Sequence, residues 1–149
     1  MNFRNRALGA LLGFAAFITL ADAAVAADRP YTEGNVVNVS AIRTEPGMFD
    51  EYMRYIAGPY KQLMDEQKKA GIIVSWAAYA VVPQGPHDPD LYLITTYRNM
   101  AALDGLDARI DPISEKIFGS MEKSAAAAVD REKIRKLMGD QLMRELIVR

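Results

Sequence analysis

The sequence predicts an α+β domain: one antiparallel sheet with helices on a single face, ordered β-α-β-β-α-β, with an extra helix before the last strand. Three observations predict it. Alternating, β-branched stretches stand near the start, in the middle and at the end of the chain. A long stretch of apolar residues at three- and four-residue spacing follows the first of them. The two middle β stretches are separated only by a tract rich in Pro, Gly and Asp, as in a hairpin.

The elements follow a segment that is set aside. Arg4 and Arg6 precede the apolar run "ALGALLGFAAFITL", and small residues then lead to an A-x-A site at Ala24-Val25-Ala26. A basic start, a short apolar core and a small-residue site are the marks of a secretory signal peptide over residues 1–26, and the core is shorter than the ~20 apolar residues a membrane span needs. The expectation is an exported, periplasmic or secreted protein with no membrane attachment after cleavage near Ala26. Residues 27–34 read as an N-terminal extension and 35–149 as one domain.

The chain carries 18 basic and 19 acidic residues, and loss of Arg4, Arg6 and Asp22 with the leader leaves the acidic ones two in excess. Both signs are interspersed, so no nucleic-acid partner is implied. Cysteine is absent, which removes disulfides, thiol catalysis and thiolate metal sites. The domain must be held by its core or by a second subunit.

"NVVNVSAIRT" (residues 35–44) sets Val37, Val39 and Ala41 against Asn38 and Ser40 and reads as strand one. In residues 45–71, Phe49, Tyr52, Met53, Ile56, Tyr60, Leu63, Met64 and Gln67 recur at helical spacing, with Gly71 as the C-terminal cap. Gly58-Pro59 should kink or restart this helix, because proline lacks a donor and collides with the preceding turn. "IIVSWAAYAVV" and "LYLITTYR" flank "PQGPHDPD" as a hairpin with a long tip. Residues 99–139 read as helical in pieces, with Asp111-Pro112 as N-cap and first turn and with Ile134, Leu137 and Met138 as an apolar stripe. "QLMRELIVR" closes the chain as a strand.

This is the ferredoxin-like split βαβ order, with helical crossovers joining parallel strands and the hairpin as the central pair. Apolar positions such as Val36, Ile42, Trp76, Ala78, Ala80 and Val82 leave both faces of the sheet too apolar for one to stay wet. A second copy should cover the open face as a two-fold homodimer.

"TEPGMFDEY" after strand one and "TYRNMAAL" after strand three resemble the dimeric α/β-barrel superfamily over most of residues 33–149. That group includes antibiotic-biosynthesis-type cofactor-free monooxygenases, haem-degrading monooxygenases, chlorite-dismutase-like proteins and NIPSNAP-like proteins. The resemblance implies a dimeric α/β barrel, with exported members of unassigned activity as the nearest kin. These motifs mark architecture more than activity. Monooxygenase members often carry a histidine in the helix after the strand-three aromatic, where this chain reads Ala101-Ala102-Leu103-Asp104-Gly105-Leu106. Haem-binding relatives use a helix-borne histidine, whereas the single histidine here, His87, sits in the hairpin tip.

"HDPD" (residues 87–90) could offer a cation three side chains, but neighbours on one loop rarely close a site. The plainer reading is a solvated tip with an Asp side-chain turn, and no metal or cofactor is assigned. Alternation places Trp76 opposite Tyr79 and Tyr92 opposite Tyr97, so these rings divide between core and dimer face. Asn38 and Ser40 share a face of strand one and need partners if buried. With Tyr60, Lys61, Tyr97 and Arg98 at the rim, they are the candidate ligand-binding residues. "DEQKK" and "DREKIRK" read as solvated helix faces. Two functions stand open: binding of a small apolar or aromatic ligand between sheet and helices, or cofactor-independent monooxygenase or isomerase chemistry. The first requires fewer placed groups.

Overall fold

In the computed structural model, residues 29–149 are described; the expected leader and its cleavage site lie outside them. Strand β1 runs Tyr31–Thr44, so four residues of the expected extension belong to the sheet. Helix α1 (Phe49–Tyr55) passes through a π-helical turn, Ile56–Tyr60, into α2 (Lys61–Lys69). The hairpin strands are β2 (Ser75–Ala80) and β3 (Leu91–Tyr97). A 3₁₀ turn, Met100–Leu103, leads to α3 (Leu106–Phe118), α4 (Met121–Arg131) and β4 (Arg135–Val148).

The sheet order is β2-β3-β1-β4, and every hydrogen-bonded pair is antiparallel. This is the ferredoxin-like α+β fold. The expectation of a central hairpin is corrected: β2–β3 forms one side of the sheet, and β3 lies between the parallel β1 and β2, so no parallel pair is hydrogen-bonded.

The helix break comes from Gly58-Pro59. Gly58 leaves helical geometry at φ −99° and ψ −110°, Pro59 has no N–H to give, and the turn widens before α2 resumes. Gly71, at φ +69°, ends α2: its N–H reaches the Lys68 carbonyl and that of Ile72 reaches Gln67, both at 3.0 Å. That pair of bonds is a Schellman motif, and the left-handed backbone it needs is cheapest for glycine.

Two expectations for residues 99–139 are overturned. Asp111-Pro112 does not start a helix; both lie inside α3, which begins at Leu106 after Gly105. Leu106, Ile110 and Ile113 pack on the core from one face of α3, and burying that face outweighs the backbone bond Pro112 forfeits. Leu137 and Met138 are not a helical stripe but part of β4. That strand starts at Arg135 because β1 offers it partners from Thr44 back to Tyr31, with irregularities near Gly34 and between Ala41 and Ile42.

Register assigns the faces. Val36, Asn38, Ser40 and Ile42 stand level with Tyr97, Thr95, Leu93 and Leu91, and Trp76, Ala78 and Ala80 with Thr95, Leu93 and Leu91. All of these face the helices. The residues used to argue for two apolar faces therefore belong to the core side, and Val82 lies beyond β2. The opposite face is nonetheless apolar, built from Val37, Val39, Ala41, Ala77, Tyr79, Tyr92, Ile94 and Met143.

Two clusters fill the helix side. Val36, Met64, Ile72, Ile73 and Tyr97 form one, and Ile42, Tyr52, Ile56, Leu91 and Leu93 the other. Tyr60 and Trp76 touch both.

Candidate functional site

A cavity of about 240 Å³ opens beside the second cluster, between the sheet and the helices. Ser40, Ile42 and Leu93 form its sheet side, extended by Leu137 and Asp140 of β4. Tyr52, Tyr55, Tyr60 and Leu63 come from the broken first helix, and Phe118, Ser124, Arg131 and Arg135 complete the wall. The volume is somewhat below the roughly 300 Å³ at which drug-sized sites begin, and suits a single-ring molecule.

The π turn matters to this wall, since it carries the chain from Tyr55 to Tyr60. Tyr52 and Tyr55 stack at 5.9 Å, and Tyr55 meets Tyr60 at 6.2 Å, tilted by 49°. The Arg131 guanidinium sits over the Tyr55 ring at 4.8 Å. Burial pushes the phenols of Tyr52, Tyr55 and Tyr60 upward. The Arg135 charge opposes this at Tyr52, and Arg131 and then Arg135 oppose it at Tyr55. For Tyr60, the neighbouring Tyr52 adds to burial, against a hydrogen bond with Thr95. At neutral pH these tyrosines are hydrogen-bond donors, not bases.

Ser40 and Tyr60, among the candidates read from the sequence, line the cavity. Asn38 adjoins it, its Nδ2 donating to Ser40 Oγ at 3.4 Å, while Ser40 Oγ donates to the Asp140 carboxylate. The other three are elsewhere. Lys61 is paired with Asp65 on the exposed side of α2. Tyr97 is buried in the first cluster, and Arg98 is exposed just after β3. Tyr97 and Arg98 miss the cavity because it forms beside Ser40, Ile42 and Leu93, whereas β3 ends level with Val36, further along the sheet.

Arg131 and Arg135 were not among the candidates, since "DREKIRK" reads as a solvated helix face. That expectation is corrected for Arg135, whose side chain is only 11% exposed. It opens β4 on the helix side, level with Thr44, instead of continuing a helix. The recurrence of Tyr52, Tyr55 and Tyr60 in helix one was the available signal for the rest of the wall.

His87 is exposed at the hairpin tip. Asp88 accepts the Gln84 N–H at 3.0 Å through its carboxylate, and Arg43 Nη1 donates to the Asp88 carbonyl at 2.6 Å. Asp90 takes the Thr44 N–H at 3.1 Å and its hydroxyl at 2.5 Å. Asp88 thus shapes the loop locally, as the side-chain-turn reading expected, whereas Asp90 ties the tip to β1. Among the described residues no helix is long and apolar enough to cross a membrane.

No protein-family model matches the chain, and no curated protein matches it. Among solved structures, it is similar to HapK from Hahella chejuensis at 9% identity and a TM-score of 0.46, covering 74% of this chain and 91% of that one. Similarity to SO0527 from Shewanella oneidensis stands at 11% identity and a TM-score of 0.49, over 79% and 97% of the two chains. A dimeric ferredoxin-like protein from an uncultured marine organism shows 12% identity and a TM-score of 0.48, over 79% and 98%.

Proposed function

We propose that the chain is a small exported homodimeric protein that binds a small apolar or aromatic molecule between its sheet and helices. The cavity carries this reading: three tyrosines and Phe118, with Ile42, Leu63 and Leu93, line about 240 Å³. Aromatic walls with a few polar groups are the usual make-up of a small-molecule site. Export rests on Arg4, Arg6, the apolar run after them and Ala24-Val25-Ala26. Finding Met1 at the N-terminus of the protein in its host would remove it. Dimerisation rests on the apolar outer face of the sheet.

Kinship with the monooxygenase-like and NIPSNAP-like branches of the dimeric α/β barrels belongs to the same proposal. The monooxygenase or isomerase alternative requires a proton acceptor at the cavity. Phenols held protonated by burial suit binding better than that role, and the one carboxylate among the described residues of the wall, Asp140, already accepts the Ser40 hydroxyl. Trp76 packs on Tyr60 and so reports on the cavity. Benzyl alcohol, an uncharged single-ring probe, should change Trp76 fluorescence saturably, and Ser40→Phe, which fills the cavity, should abolish the change. An unsaturable, variant-independent response would overturn the reading.

A further inference from the structure

Among the described residues, Arg135 in the cavity wall holds buried side-chain nitrogens that lack a hydrogen-bond acceptor. Its Nη2 meets Glu132 Oε1 at 3.1 Å, but Nε and Nη1 are buried without any acceptor. Those two nitrogens carry three of the five guanidinium N–H groups. A buried donor left unmade is costly, and a buried cation more so. Nothing nearby compensates fully. Glu132 is 57% exposed and touches one nitrogen, the Asp140 carboxylate makes no bond to the guanidinium, and Arg131 brings a second positive charge to the same wall. An uncharged ring in the cavity would leave this unchanged. An oxyanion in the cavity would set a counter-charge and acceptor against the guanidinium on its wall, beside Arg131 and with the Tyr52 and Tyr55 phenols as further donors.

We infer that the cavity selects a small-ring ligand bearing a single oxyanion, a carboxylate or its equivalent, with Arg135 as the residue that receives it. The apolar body lies against Ile42, Leu63, Leu93 and Phe118. This rests on the proposed binding function and names the chemistry of its ligand. Arg135 sets specificity, while the ring walls hold a neutral molecule of the same shape more weakly.

Calorimetric titration of the mature chain at neutral pH with benzoate and with benzamide, its uncharged counterpart, tests the inference. Benzoate should bind roughly tenfold or more tighter, the scale of a charge-assisted hydrogen bond. In Arg135→Met the ratio should fall to near one, with benzamide binding changed by less than about twofold. Arg135→Lys keeps the charge but not the planar donors, and should lose most of the preference. Equal binding of both probes by the unmodified chain would overturn the oxyanion assignment and leave the cavity standing. A benzoate preference that survives in either folded variant would overturn the role of Arg135. Failure of both probes to bind would overturn the binding function with it.

Discussion

The Trp76 indole meets the Tyr60 ring edge-on, with centroids 5.6 Å apart and planes at 85°, and its Nε1 donates to Asp65 Oδ1 at 3.1 Å. This contact ties β2 to the helix just beyond its break and joins the two core clusters. Replacing Trp76 with alanine should cost about 3 kcal/mol, at the low end for a large aromatic because the ring is only half-buried. Denaturant melts would show it; a loss below about 1 kcal/mol would mean the junction is not held by this ring.

The hairpin tip divides into a part that holds the fold and a part that does not. Asp90→Ala should cost about 1–2 kcal/mol, since the Thr44 N–H and hydroxyl lose their charged acceptor. His87→Ala should change stability by less than about 0.5 kcal/mol and leave benzyl alcohol binding intact. Loss of binding in the histidine variant would make the tip a site.

Alkaline pH should unfold the protein through its tyrosines. Burial raises Tyr52, Tyr55, Tyr60 and Tyr97 above their ordinary value of 10.0. The folded state thus favours the protonated phenols. Their contribution to stability is whole below about pH 10 and is lost as pH climbs through the raised values. Tyrosinate absorbance followed alongside circular dichroism should show these four ionising only as the fold is lost. Their complete ionisation in an intact fold would contradict the burial.

The outer sheet face should be a dimer interface. Tyr79 is 55% and Met143 46% exposed in the single chain, flanking Val37, Val39 and Ile94 on the same face. Sedimentation should find a dimer at micromolar concentration, and Ile94→Lys should shift it toward monomer by placing a charge amid that face. A stable, non-aggregating monomer of the unaltered chain would sink the interface.

What the sequence determined by itself is whatever depends on neighbours along the chain. The β-branched alternation of residues 35–44, the break at Gly58-Pro59, the cap at Gly71 and the opposition of Trp76 to Tyr79 and of Tyr92 to Tyr97 all follow from local period and backbone chemistry, and all are present. Tertiary structure decided whatever depends on a partner far away. The pairing of Arg135 with Thr44 converts the end of a helical pattern into a strand, buries a guanidinium that reads as solvated, and puts the cavity beside β4 instead of near Tyr97 and Arg98. Pro112 stays within α3 for the same reason, because packing of Leu106, Ile110 and Ile113 on the core outweighs a local preference for a helix start. Long-range burial is worth more per residue than local propensity, and the distant strand that supplies the partner is not named by the residues next to it in sequence.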